Sequence, residues 1–546
     1  MSTAHAQTPG APAQAAREAP STFQINAIDV SGVTKLSAGE VEELIYPHLG
    51  PDRSNDDVIA ARKALQDAYA AKGFESVLVD IPIQPAESFA QGIVQITVNE
   101  TPVGRVRVID AKHHSLAGVR ENIPSLREGE PINFGELQRD IAAANRYPDR
   151  SVSPTFNPGQ VPGTIDVDLR VEDSSPFHAS LELNNDNSPT TSPLRVAGTV
   201  RYSDLWQLGH TISATYAVAP EHRSESEVIS ASYNAPLIGT PWSFLIYGYR
   251  SNSDVAALGG TNVLGNGYQI GLRAIYRLPS TSTYQSISIG PDFKSFDERI
   301  FVLGQAIRPT PIRYIPITAD YTLQYAGEDD SLSLTAGATL GLRTVKRLSC
   351  VDPAEANVPD LTATCLVAAG SNTVGFLEDQ FQGRSLDARE NFIHLNADLT
   401  YTRVLPQNFV AVLRVAGQLS DSSLVTNEQF AIGGQTSVRG YYLSEAVGDN
   451  GFLQSVELRS PSFDGLAGNW VSEARLFLFG DIGYARVRRP ALEQTRAFRF
   501  AGIGGGGRIT LFNHLSGEVL LGMPLIDGPT SNVGDPRVQF LIRGEF

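Results

Sequence analysis

From about residue 174 to the C terminus, apolar and polar residues alternate with period two, in about sixteen segments of about ten residues each. The clearest is 393–401, where Ile393, Leu395, Ala397, Leu399 and Tyr401 alternate with His394, Asn396, Asp398 and Thr400. Comparable segments run at 181–185, 194–202, 211–218, 227–235, 242–249, 268–276, 285–292, 314–323, 331–342, 410–419, 452–459, 473–484, 498–509, 516–523 and 538–546. No apolar run approaches the ~18 residues of a membrane helix, so helical spanning is excluded. A spanning β-barrel is not excluded, because it spreads its apolar residues over alternate positions. A soluble sandwich also alternates, but it splits into smaller units and lacks so even a series. Tyr202, Trp206, Tyr216, Trp242, Tyr276 and Tyr401 lie near strand ends, where aromatic girdles sit at a membrane interface, and the chain closes on Gly544-Glu545-Phe546. The expectation is an all-β transmembrane barrel of about 16 antiparallel strands. The net charge of −16 and the lack of any Lys/Arg block argue against nucleic acid as a partner.

The first 173 residues read differently. Phe23–Val30 alternates and stops at Gly32; Ser37 with Glu40 forms a capping box; a second helix opens at Asn55 and ends before Gly73; strands follow at 76–84 and 93–99. The order β-α-α-β-β then repeats, with a strand at 104–110, helices at 116–123 and 133–145, and strands at 151–157 and 164–172. A duplicated module of this kind resembles tandem POTRA (polypeptide-transport-associated) domains. The division is therefore 1–21 signal remnant and linker or short helix, 22–100 POTRA 1, 101–173 POTRA 2, and 174–546 barrel. Ala4-His5-Ala6 resembles the end of a secretory signal.

The segment after the eleventh strand reads Phe430-Ala431-Ile432-Gly433-Gly434-Gln435-Thr436-Ser437-Val438-Arg439-Gly440-Tyr441, and Phe479-Gly480-Asp481-Ile482-Gly483 follows on the thirteenth. The first resembles the loop-six signature of two-partner (type V) secretion transporters of the haemolysin-activator type, and the second resembles their F-x-D-x-G motif. The resemblance implies an inward-folded loop six at 425–450 whose Arg439 pairs with Asp481. The implied latch comprises Gly433, Gly434, Val438, Arg439, Gly440, Tyr441, Phe479, Asp481 and Gly483. Strand parity supports the pairing. Ala474, Leu476, Leu478, Ile482 and Tyr484 share one face, and Glu473, Arg475 and Asp481 the other; the charged face must turn to the lumen, since charge on the lipid face costs energy on the kcal/mol scale. A buried carboxylate wants a cation, and Arg is the better bidentate partner. Gly504–Gly507 reads as a strand whose small residues relieve crowding against that loop. Family members begin with a helix that plugs the pore, and here only Ala11–Ala19 is placed to serve.

Cys350 and Cys365 lie in a polar stretch after the ninth strand, where a disulfide in an oxidising compartment is expected. There is no P-loop, G-x-S-x-G or H-E-x-x-H, and no His or Cys cluster for a metal; His113-His114 reads as solvated. No enzymatic activity, cofactor or metal is expected. The resemblance implies an outer-membrane transporter, its POTRA domains in the periplasm, exporting a large secreted exoprotein (adhesin, haemolysin or toxin). Outer-membrane lipid and lipopolysaccharide surround the barrel, and the transporter is expected to be a monomer. An assembly insertase of the same superfamily would share the Arg439 loop but carries more periplasmic modules; a passive porin would lack the modules and the paired motifs.

Overall fold

In lipid every backbone N–H and C=O must find a partner within the sheet, so a spanning sheet has to close on itself. The computed structural model has such a closure. It describes residues 22–145, 149–253, 255–258, 261–264, 266–280, 282–302, 305–342, 348–351, 360–366, 374–463, 470–490 and 494–546, with backbone alone at 255–264, 298–310 and most of 348–378. The chain divides into two compact units, one up to Ser174 and one from Ser175 to Phe546.

The second unit is one closed antiparallel barrel of sixteen strands. They are β1 (Phe177–Asn184), β2 (Arg195–Leu205), β3 (His210–Val218), β4 (Glu227–Pro236), β5 (Trp242–Ser251), β6 (Asn266–Leu278), β7 (Thr283–Val302) and β8 (Gln305–Tyr314 and Pro316–Ala326). Then come β9 (Asp330–Gly341), β10 (Ile393–Val404), β11 (Val410–Ser420), β12 (Asn450–Arg459), β13 (Val471–Arg486), β14 (Ala497–Leu511), β15 (Leu515–Pro524) and β16 (Arg537–Glu545). The two parts of β8 pair with successive stretches of the long β7, so they count as one strand broken at Ile315, just before Pro316. β16 pairs with β1 over Leu541↔Asn184 to Glu545↔Ser180, which closes the sheet.

Alternation becomes an inside-out distribution. Leu272, Leu395, Leu419, Leu476, Leu478 and Leu521 are all half or more exposed on the outer face, while Gln269, Arg273, Asp292, Lys294, His394, Glu457, Asp481 and Gln539 are buried on the inner one. Most turns at the end where the chain enters are short, as at 206–209, 327–329 and 512–514, whereas 342–392 and 421–449 are long connections at the other end. Short turns and long loops mark the periplasmic and extracellular ends of outer-membrane barrels. The segment with Cys350 and Cys365 leaves from the long-loop end. Their backbones lie on strands that flank Val374–Asp379 on its two sides; their side chains lie outside the described residues, as does Ala11–Ala19.

The first unit holds two modules with separate cores. One core gathers Ile25, Val58, Leu65, Tyr69, Ile96 and Val98, the other Val106, Val119, Ile123, Leu137, Val152 and Leu169. In each, the first strand runs parallel to the last and the last antiparallel to the middle one. The capping box at Ser37 and Glu40 is formed. Asp173 ends the second sheet: it is buried, which by itself would raise its pKa, yet the amides of Lys112, His113 and His114 and the ring of His114 hold it down at about 2. His114 is therefore a buried partner of Asp173, not the solvated residue its polar neighbourhood suggested.

The parity has a direct test. Leu478→Arg puts a charge near the middle of the lipid-facing surface and should destabilise the inserted barrel by about 2–4 kcal/mol. Thr335→Arg, on the lumen-facing side of β9, should leave it nearly unchanged; heat-modifiable gel mobility against urea reads both.

Candidate functional site: the loop inside the barrel

A loop that enters a barrel must bring its own partners for the wall's buried charges. Residues 421–449 do so inside the lumen. Gly433 and Gly434 have φ of 106° and 103°, a conformation that side chains resist. They turn the chain back so that Ile432, Val438, Tyr441 and Ala446 pack with Leu453, Ala485 and Phe500 of the wall. Gly440 (φ 95°) brings the loop backbone against that of β15, where an added Cβ would lie 3.1 Å from the Gly522 carbonyl carbon. Gly483 leaves room for Val438, and Gly502 lets the Arg439 carbonyl lie against β14.

Arg439 sits at the end of this approach. Its Nε donates to Asp481 Oδ2 at 2.8 Å, its Nη2 to Oδ1 at 2.8 Å, and its backbone N–H to Oδ2 at 3.0 Å. Nη1 donates to Glu457, and Nη2 also lies 3.0 Å from Ser455 Oγ, which donates to Asp481 Oδ1 at 2.7 Å. The guanidinium carbon lies 3.6 Å from the centroid of the Phe479 ring. The Asp481 side chain is 0% exposed and that of Arg439 8%, so the bidentate pair is fully enclosed. Tyr441 stacks on Phe500 with centroids 4.1 Å apart, its hydroxyl 2.7 Å from the Ile526 carbonyl and 3.0 Å from that of Ala501. Of the residues singled out in the sequence, Val438, Gly440, Phe479 and Gly483 thus lie around the Arg439–Asp481 pair and Tyr441 packs beside it, while Gly433 and Gly434 make the loop's turn. The glycine run needs a correction: Gly504 and Gly506 make room for the Phe479 and Phe477 rings, and Gly502 is the glycine that meets the loop.

A second anchor had no sequence signal. Glu428, 4% exposed in its side chain, lies at the start of the loop. It accepts from Lys294 Nζ on β7 at 2.5 Å and from the Tyr314 hydroxyl on β8 at 2.6 Å, and lies 3.3 Å from His394 Nε2 on β10. Gln418 Nε2 donates to the Glu428 carbonyl at 2.8 Å. Beside it Leu424 and Val425 join Phe296, Ile312, Phe381 and Phe392 in an apolar cluster. A lone Glu in a loop says nothing in sequence; the signal that existed was Lys294 and His394 at lumen-facing positions. Asp449 closes the loop's base, accepting from the amides of Leu424 at 2.8 Å and Arg488 at 2.7 Å.

The loop also touches both sides of the seam between β1 and β16. The Gln435 amide donates to Asp186 at 3.2 Å and that of Leu443 to the Asn187 carbonyl at 3.0 Å; Arg537 on β16 bonds to Asn187 and lies 3.7 Å over the Tyr442 ring. Among the described residues no cluster of His, Cys, Asp and Glu is arranged to hold a metal.

Breaking either anchor should cost stability. Asp481→Ala leaves Arg439 with Glu457 alone, a loss of about 1.5–3 kcal/mol, and Glu428→Ala strands the buried Lys294, a loss of about 3–5 kcal/mol. The anchors share no partner, so the double variant should lose about the sum, read from denaturant midpoints of the folded barrel.

The family profile described as haemolysin secretion/activation protein ShlB/FhaC/HecB matches residues 163–509, and that of the ShlB-type POTRA domain matches 23–101. The outer membrane transporter CdiB of Escherichia coli is 24% identical over 248 residues, 44% of this chain and 41% of CdiB, so this match spans less than half of that relative. The heme/hemopexin transporter protein HuxB of Haemophilus influenzae is 21% identical over 431 residues, 77% of this chain and 69% of HuxB. Among solved structures, CdiB from Escherichia coli aligns with a TM-score of 0.64 at 17% identity, covering 98% of this chain and 93% of that one. BamA from Haemophilus ducreyi lacking POTRA domains 1–3 aligns at 0.51 and 11% identity, covering 96% and 100%. At these identities both likenesses show the fold alone.

Proposed function

The chain belongs to the haemolysin secretion/activation family ShlB/FhaC/HecB, whose members are transporters, and from that premise we propose that it exports a large partner exoprotein across the outer membrane. The barrel lies in the outer membrane and the POTRA region in the periplasm. Both N-terminal modules act as POTRA domains: they take up the unfolded partner by adding its strands to their exposed sheet edges. The partner then passes through the polar lumen, and loop six, latched by Arg439 on Asp481 and anchored at Glu428, governs that passage. One chain suffices, and it performs no chemistry on its cargo. The reading rests above all on a loop six carried inside the barrel on a fully enclosed Arg439–Asp481 pair, in a chain that also has N-terminal modules. A passive pore has no use for either.

The assembly insertase is the second reading, because a BamA barrel shares the fold. Comparing secreted and outer-membrane proteomes of a deletion strain with and without the restored gene separates the two. Export predicts the loss of one large exoprotein from the medium with other barrels unchanged. Broad depletion of outer-membrane barrels would establish the insertase instead.

A further inference from the structure

The hairpin joining β13 to β14 holds five arginines between residues 486 and 499, in a chain whose net charge is −16. Two are engaged: Arg488 Nη1 donates to the Ser420 carbonyl at 2.9 Å, and Arg489 pairs with Asp387 at 2.9 Å. The side chains of Arg486, Arg496 and Arg499 are exposed and make no hydrogen bond or ion pair among the described residues. In the β13–β14 register Tyr484 faces Arg499 and Arg486 faces Ala497. Arg486 and Arg499 are therefore diagonal neighbours on the face that carries Ile482, opposite the lumen-facing Asp481 and Gly483. Arg496 lies at the rim just above, its carbonyl bonded to the Val487 amide at 2.9 Å.

Two like charges side by side on an outer barrel face repel, and burial at the lipid boundary adds to the cost. An anion seated between them relieves both. We propose that Arg486, Arg499 and Arg496 form a seat for the phosphate groups of lipopolysaccharide, on its lipid A. Guanidinium groups bind phosphate bidentately, and Arg486 and Arg499 stand on adjacent strands. The site lies at the long-loop end, where the outer leaflet presents lipid A. Directly beneath are Tyr484 at the interface and then Ile482 and Ile503, which are 48% and 44% exposed. Cations above an aromatic and apolar strip match an amphiphile with phosphates above acyl chains; a free phosphate would not need the strip. The seat depends on the outer-membrane location and not on export. It would brace from outside the strand that holds Asp481 inside.

The test uses the intact protein in detergent freed of lipopolysaccharide, titrated with Kdo2-lipid A and followed by native mass spectrometry. R486S/R499S should bind it at least tenfold more weakly. R250S, which removes the outward arginine of β5 beside Glu227, should bind like the parent. Dephosphorylated lipid A, phosphatidylglycerol and inorganic phosphate should fail to displace the bound lipid at equal concentration. Equal affinity of R486S/R499S and the parent, or equal displacement by any of these competitors, would overturn the seat. Should R486S/R499S lose its heat-modifiable mobility, R486K/R499K replaces it: a drop of about threefold or more supports the bidentate seat, and parental affinity contradicts it.

Discussion

Lipid offers no water to an unpaired strand edge, so every other feature of this barrel depends on the closure of β16 onto β1. That seam is short, with five registered pairs. Beyond it the Asn185 side chain continues the ladder in place of backbone: its Nδ2 donates to the Val538 carbonyl at 2.9 Å and its Oδ1 accepts from the Phe540 amide at 2.8 Å. Loop six then spans the same seam, through Asp186 and Asn187 on one side and Arg537 on the other. The loop that the function turns on is thus also a brace for the closure that makes the barrel possible.

Closure forces polar residues inward, and inward charge has to be compensated. The barrel does this asymmetrically. On β13–β15 the wall is thinned by Gly483, Gly502, Gly504, Gly506 and Gly522, so that loop six and two Phe rings fit where side chains would stand. On β5–β8 the wall neutralises itself, with Arg273 on Asp292 at 2.8 Å. Lys294 and Glu428 join the two regimes, tying the start of the loop to the far wall. Loop six therefore has two independent anchors, one on each side of the lumen.

Much of this was legible in sequence because the barrel obeys a period of two. Once Leu476 and Leu478 point to lipid, Asp481 must point inward. The sixteen strands and the place of loop six after the eleventh follow from the same pattern. What stayed hidden shares a physical cause, namely dependence on residues far apart in the chain. Glu428 meets Lys294 and Tyr314, 134 and 114 positions away, and no local pattern announces such a meeting. The purpose of Gly504 and Gly506 is hidden in sequence for the same reason: the crowding they relieve comes from rings on the neighbouring strand. His114 looked solvated because its partner, Asp173, lies 59 residues on.

A buried ion pair is seldom a gain in stability over an apolar replacement, so its retention at the centre of loop six points to a requirement of position. The account holds that Arg439, clamped between Asp481 and Glu457 over Phe479, sets loop six where export needs it. The most direct test is the amount of the exported exoprotein in the medium of cells carrying Arg439→Ala, at matched levels of folded, inserted barrel. The account predicts a fall of at least tenfold. Parental secretion by that variant would contradict it.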